Sequence, residues 1–226
     1  MSGPKNVRTR LVLARHGETV WHAENRYAGG SSDIDLTDHG REQAQALAAW
    51  ADVQELDALV VSPVRRAQET AAPVAAATGL VPRVAPDLRE VDFGIAEGHT
   101  IEELVAMDAS MVAQFRADPA GHPFPGAEPP DAAADRAAAC LRQLGVEHRG
   151  GRVLVVAHNT LLRLALCRLL DLPVTHYRRI FPRLETAAVT EVALPPEDDL
   201  PASLLTLNAR PVRDPSHSPR HTLEQK

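Results

Sequence analysis

The chain has 226 residues, 44% hydrophobic and 24% charged, which suits one large globular domain with a substantial core. Its formal charge of -6 argues against a dedicated nucleic-acid binder, and two cysteines without a CxxC pair exclude a disulfide framework or a cysteine metal site. No apolar run is long enough to span a bilayer, and Met1 to Arg10 lacks an apolar secretory core, so the expected location is cytoplasmic, with no membrane and no nucleic acid among the partners.

Residues 1–7 read as a loose tail, and Thr9 to Ala14 as the first strand. A polar loop follows to about Leu36, carrying Trp21, Tyr27 and the Gly29-Gly30 pair. Thr37 is placed to cap a helix whose apolar positions Ala44, Leu47, Ala48 and Ala51 follow the i, i+3, i+4, i+7 pattern. Asp57 to Val61 is a second strand, and Ser62-Pro63 reads as an N-cap followed by an N1 proline. The helix after it sets Val64, Ala67, Ala71, Val74 and Ala75 on one face. Val81 to Val84 is a short strand, and Leu88 to Thr100 a loop with Gly94 and Gly98.

Ile101 to about Phe115 is helical in pattern, as two short helices, and Asp118 to Pro130 is a Pro- and Gly-rich loop. Asp131 to Val146 is an Ala-rich helix and Arg152 to Ala157 a third clear strand. Asn159 or Thr160 caps a helix to Leu170, and Ala187 to Leu194 and Ser203 to Leu207 are later strands. Strands alternating with helices predict a three-layer α/β/α fold with a mostly parallel central sheet and a small helical cap insertion at about residues 100–146. One catalytic domain over residues 1–207 is expected, with residues 208–226 a disordered tail.

The chemistry lies where apolar runs stop. Leu11-Val12-Leu13-Ala14 ends in Arg15-His16-Gly17-Glu18-Thr19, Leu59-Val60-Val61-Ser62-Pro63 leads into Arg65, and Val153 to Ala157 leads into His158. Side by side and parallel, these strands would bring two arginines and two histidines to one crevice at the carboxyl edge of the sheet, where open α/β sheets bind ligands. Such a set suits a phosphate. Arg65, in the opening turn of a helix, would add a bidentate donor to the free N–H groups there; Arg66 is its rival, about 100° around the helix.

In this order and context the residues resemble the histidine phosphatase superfamily, which includes cofactor-dependent phosphoglycerate mutases. The matching segments are Arg15-His16-Gly17-Glu18-Thr19, Asn25-Arg26, Leu36-Thr37, Gly40, Gln43-Ala44, Ser62-Pro63 with Arg65 and Ala67, Thr70-Ala71, Leu88-Arg89-Glu90 with Phe93-Gly94 and Glu97-Gly98, and the strand ending at His158. They extend over roughly residues 8 to 195. The resemblance implies that His16 becomes phosphorylated, that Arg15, Arg65 and His158 form the phosphate site, and that Glu90 protonates the leaving oxygen; Glu18 and Glu97 are rival acids. Two positions depart from the family pattern. His22 stands where many members have Asn, and Asn159 follows the second histidine where Gly is usual; both are candidate substrate-binding residues. Glu128 is either a counterpart of a family Gly-Glu-Ser segment or a helix N-terminal carboxylate. Trp21, Tyr27, Phe93 and Phe115 line the entrance or simply pack.

The ten histidines show no HExxH pattern and no P-loop is present, so neither a metal nor another cofactor is expected. The resulting expectation is a phosphatase that hydrolyses a phosphomonoester of a small metabolite. The alternatives are a phosphoglycerate mutase or, from another class, a catalytically silent phospholigand-binding module. The loop from Glu90 to Gly98 looks more like the phosphatase branch. The substrate and the oligomeric state are not legible in the sequence.

Overall fold

Leu11 to Ala14 are apolar without alternation, the mark of a strand covered on both faces. The structure, a computed structural model, describes residues 8–196 and 200–212. In it β1 (Thr9–Arg15) lies near the middle of a six-stranded sheet with β2 (Ala58–Val61), β3 (Arg83–Val84), β4 (Arg152–Ala157), β5 (Val189–Leu194) and β6 (Ser203–Ala209), in the order β3-β2-β4-β1-β5-β6. The first four strands in that order run parallel, whereas β5 is antiparallel to β1 and to β6.

The helices are α1 (Val20–Ala23), α2 (Asp38–Ala51), α3 (Arg65–Thr78), α4 (Ile101–Met107), α5 (Ala109–Ala117), α6 (Pro130–Glu147), α7 (Asn159–Leu169) and α8 (Tyr177–Ile180). Successive strand residues serve opposite layers. Val12, Ala14, Leu59, Val61, Leu154 and Val156 pack against Leu47, Ala48 and Ala51 of α2 and Ala67, Ala71 and Val74 of α3. Leu11, Leu13, Val60, Val153 and Val155 pack against Ala134, Ala138 and Leu141 of α6 and Leu161, Leu162 and Ala165 of α7. This is the three-layer α/β/α arrangement expected from the alternation of elements.

Several boundaries differ from the sequence reading. Helix α6 belongs to the layer that covers the sheet, because its Ala and Leu face is wholly buried; α4, α5 and the loop to Pro129 make up the rest of the expected insertion and join the same core through Leu104, Val112, Phe115 and Phe124. Asp108 divides α4 from α5 and caps α5 by accepting from Met111 N–H (3.0 Å). Asn208 and Ala209 belong to β6 rather than to a tail. The expected loose tail at residues 1–7 and the tail beyond residue 212 lie outside the described residues. The α3 helix begins at Arg65, two residues later than Ser62-Pro63 suggested. The Ser62 hydroxyl does accept a nearby backbone N–H, from Val64 at 3.2 Å, but its other contact is His158 Nε2 at 2.6 Å. Among the described residues no helix is long and apolar enough to cross a membrane.

Candidate active site

The register of β1 and β4 runs to Arg15 beside Ala157, and His16 N–H donates to Ala157 O (2.9 Å). Ser62 N–H donates to Val156 O (3.0 Å), so three adjacent parallel strands end at one level. Their carboxyl ends open on a cavity of about 160 Å³ lined by Arg15, His16, His22, Glu90, Asn159 and Thr160, and also by Arg26, Tyr27, Ala28, Phe93, Arg163 and Arg178.

His16 is buried, and its Nδ1 lies 2.7 Å from Gly17 O. A carbonyl only accepts, so Nδ1 carries the hydrogen and the lone pair stays on Nε2. Gly17 itself is fixed by Thr70, whose hydroxyl accepts from Gly17 N–H (2.9 Å). The turn also needs small residues: a Cβ on Gly17 would come within 2.5 Å of Gly40 O, and one on Gly40 within 2.0 Å of Glu18 O. These two glycines let the start of α2 pack directly on the loop that follows His16.

The arginine at the histidine is Arg66, and Arg65 is not part of the cluster. Arg66 is fully buried; its Nε–H donates to His16 Nε2 (3.2 Å), and its other N–H groups donate to Ser32 O, Ala28 O and Gly29 O. Arg65 points away, half exposed, and pairs with Asp35 (2.8 Å), Glu69 (3.0 Å) and Asp33. The expectation for Arg65 is therefore corrected, and the cause is helical phase. The buried face of α3 is set by Ala67, Ala71 and Val74. At about 100° per residue, Arg65 lies roughly 150° from the centre of that face, whereas Arg66 lies nearer, on the flank shared with buried Thr70.

Arg15 donates from Nη1 to Leu184 O (2.8 Å) and meets His22 Nε2 with Nη2; its Nε has no partner. Burial first, and the nearby Arg183 and Arg66, lower its pKa to about 10 against the pull of Glu90 and Glu185. His22 accepts at Nδ1 from Thr19 N–H (2.9 Å). Burial and then Arg15 and Arg66 bring its pKa down to about 4, so it is neutral at pH 7. His158 is buried with its ring 5.2 Å from that of His16, and its Nδ1 has no partner. Burial, then the surrounding cations, hold both His16 and His158 well below the ordinary histidine value.

Glu90 is buried at the start of α7. Its Oε1 accepts from Val91 N–H (2.9 Å) and Leu161 N–H (2.8 Å), and its Oε2 from Thr160 N–H (3.1 Å). Burial raises its pKa, and these N–H groups and Arg66 only partly oppose the rise. The rival carboxylates are structural. Glu18 accepts from the Thr37 hydroxyl (2.9 Å), and Glu97 accepts from Gly29 N–H, Phe93 N–H and the Ser32 hydroxyl, stapling two loops. Glu128 holds Arg136 by two bonds of 2.6 and 2.7 Å, and Arg136 in turn donates to Asp87 O and Arg89 O, bracing the Glu90 loop. Asn159 Oδ1 accepts from Leu184 N–H (3.2 Å), tying the cavity rim to the segment that also anchors Arg15.

Of the four aromatics, Tyr27 and Phe93 line the cavity. Phe115 stacks on Phe124 at 4.0 Å beneath Tyr27, and Trp21 is not among the lining residues. Arg163 and Arg178 were not singled out from the sequence. Arg163 lies four residues after Asn159, so helical spacing from that candidate substrate-binding residue is the available signal. Among the described residues no group of three or more His, Cys, Asp or Glu side chains is arranged to hold a metal ion.

The chain is 35% identical over 159 residues to metal-independent phosphoserine phosphatase of Arabidopsis thaliana, covering 69% of this chain and 66% of that one. It is 33% identical over 156 residues to phosphoglycerate mutase-like protein 4 of the same plant, covering 68% and 67% of the two chains. Among solved structures, the mycobacterial glucosyl-3-phosphoglycerate phosphatase superposes with a TM-score of 0.80 at 28% identity, over 89% of this chain and 99% of that one. Residues 11–203 match the sequence pattern of the histidine phosphatase superfamily, branch 1, and the chain belongs to that family.

Proposed function

We propose that the protein is a phosphomonoesterase that acts through a phosphohistidine on His16. One observation carries the reading: a neutral imidazole with its lone pair held on Nε2 faces a buried guanidinium that has no carboxylate partner among the described residues. In the first step Nε2 attacks phosphorus and the bond to the leaving oxygen breaks. Arg66 N–H, which meets Nε2 in the free enzyme, turns to the phosphoryl oxygens, joined by Arg15. If the Ser62 hydroxyl donates to His158 Nε2, His158 keeps a hydrogen on its unpartnered Nδ1 and is a third donor without being charged. Glu90, its pKa raised by burial, gives its proton to the leaving oxygen. In the second step the Glu90 carboxylate takes a proton from water, which attacks phosphorus and releases phosphate and free His16. Arginines supply the positive charge that this transfer needs, so activity is expected to survive a chelator.

Two of the relatives are named as phosphatases and one as phosphoglycerate mutase-like, so both chemistries have relatives, and the resemblance of the loop from Glu90 to Gly98 to the phosphatase branch favours hydrolysis. The experiment is rapid mixing with phosphorus-labelled O-phosphoserine, 3-phosphoglycerate and p-nitrophenyl phosphate. Acid-labile label on the protein, phosphate release, and loss of both in His16→Ala are the expected results. Label that persists in His16→Ala would remove the nucleophile assignment, and isomerised 3-phosphoglycerate without phosphate release would identify a mutase.

A further inference from the structure

The cavity carries more positive charge than one phosphoryl group needs. Arg15, Arg163 and Arg178 line it, and Arg66 reaches it through His16, to which it donates at 3.2 Å. Among the described residues none of these four is salt-bridged to a carboxylate, and Glu90 is the one carboxylate among the lining residues. Arg26, also on the wall, is different: Glu24 (2.6 Å) and Glu103 (2.9 Å) already neutralise it.

Arg163 and Arg178 are held in place by neutral groups. Arg163 is buried, donates from Nε to Phe181 O (2.5 Å) and sits 5.0 Å from the centre of the Tyr177 ring. Arg178 lies 4.7 Å over the Phe115 ring and donates to the Tyr177 hydroxyl (3.1 Å). Carbonyls, hydroxyls and ring faces fix a guanidinium's direction but leave its charge uncancelled. Burying an uncancelled cation is costly, and such sites are best explained by an anion that arrives later.

Position tells which end of a substrate that anion occupies. Glu90 accepts from Thr160 N–H and Leu161 N–H, and both Thr160 and Arg163 line the cavity one helical turn apart on α7. Arg163 therefore shares the start of α7 with the acid, and Arg178 stands with it, the two guanidiniums lying 5.0 and 5.8 Å from the Tyr177 ring; Tyr27 and Phe93 give the same cavity apolar lining. The volume of about 160 Å³ is well below the roughly 300–1,000 Å³ of pockets for drug-sized ligands, which favours a short carbon chain.

We propose that Arg163 and Arg178 form a second anion subsite that takes the carboxylate of a short phosphorylated acid. The planar guanidinium fork matches a planar carboxylate. The subsite determines specificity and rests on the phosphatase reading above.

The test compares substrates that differ at the carboxylate, which is replaced by hydrogen in O-phosphoethanolamine and by a hydroxymethyl group in glycerol 3-phosphate. O-phosphoserine is set against O-phosphoethanolamine, and 3-phosphoglycerate against glycerol 3-phosphate. The acid-bearing member of at least one pair is expected to have a kcat/KM higher by about tenfold or more, the scale of one good charge-assisted pair. Arg178→Met is expected to bring that ratio to within about threefold, and Arg178→Lys to restore part of it. Wild-type enzyme that turns over both members of both pairs equally overturns the subsite and leaves the phosphatase reading intact, and this outcome needs no variant. An unchanged ratio in a folded Arg178→Met protein overturns the assignment of Arg178. Absence of phosphate release and of phosphoenzyme from every probe overturns the phosphatase reading itself, and the subsite with it.

Discussion

The same two strands begin and end in different electrostatic conditions. At the amino ends of β1 and β4, Arg10 and Arg152 both reach Glu191, at 3.6 and 3.0 Å, and Arg152 also donates to Gln54 (2.6 Å). At the carboxyl end of β1, Arg15 finds a carbonyl and a histidine, and Arg66 beside it finds three carbonyls and an imidazole. One edge of the sheet is internally neutralised and partly wet; at the other the arginines are buried and meet neutral acceptors rather than carboxylates. An arginine count does not separate the two ends. What separates them is whether a carboxylate of the same chain already occupies the guanidinium.

The largest expected effect uses neighbouring residues to sharpen that contrast. Arg66→Met should lower kcat/KM by about 10³-fold, because it removes a donor that is buried and aimed at the reacting group. Arg65→Met, one residue earlier, removes an exposed cation already paired with Asp35 and Glu69 and should change kcat/KM by less than about threefold. Steady-state kinetics on whichever probe proves the best substrate decides it. Equal losses in the two variants would show that charge near the cavity mouth matters rather than the pairing state of each arginine.

The same pair shows what was legible in the sequence. Strand ends, apolar runs and turn residues place β1, β2 and β4 side by side and bring His16 and His158 near one another, because each depends on local pattern, whereas Glu90 is reached only through the family resemblance. Nearness to the helix start favours Arg65 over its rival Arg66, whereas the buried face of α3 fixes which arginine turns inward. Those Ala and Val positions were readable. Less readable were contacts made at long range. That Glu97 staples Gly29 and Ser32, while the equally acidic Glu90 caps α7, depends on which loops meet, and no spacing within residues 88–100 encodes it. Helix α6 is expected in the cap because residues 100–146 lie between strands, yet its Ala and Leu face is buried against the sheet and α7.

A second, intermediate effect concerns pH. His16 and His158 are buried neutral among cations, and both ionise well below the ordinary value near 6.5. Below that value the unfolded chain takes up protons that the folded one refuses, so their contribution to stability is complete above pH 6.5 and falls as the pH drops towards their folded values. Each fully buried histidine costs about 1.4 kcal/mol per pH unit across that window. His22, lowered to about 4, acts in the same direction down to that pH. Thermal melts from pH 7 to 4.5 should therefore show Tm falling. His158→Gln, which removes one such group, should flatten the slope although it lowers Tm at pH 7. A Tm independent of pH across this range would mean that the positive end of the sheet is not as dry as its geometry implies.

The smallest effect belongs to the neutralised edge. Glu191 has a side chain only 12% exposed and serves both Arg10 and Arg152. Glu191→Gln keeps the shape and one acceptor but leaves Arg152, itself 21% exposed and 5.6 Å from the Trp50 ring, without its carboxylate. Because water still reaches both partners, the loss should be about 1 kcal/mol, or roughly 2–4 °C in Tm, with kcat/KM within about twofold of wild type. The asymmetry with Arg66→Met is the point of the measurement. An arginine already paired contributes to holding the fold, and its removal registers in a melt; an arginine left without a carboxylate contributes to binding, and its removal registers in turnover. If Glu191→Gln lowered kcat/KM as much as it lowered stability, the two ends of the sheet would be coupled through β1 and β4, and the separation of structural from functional arginines would fail.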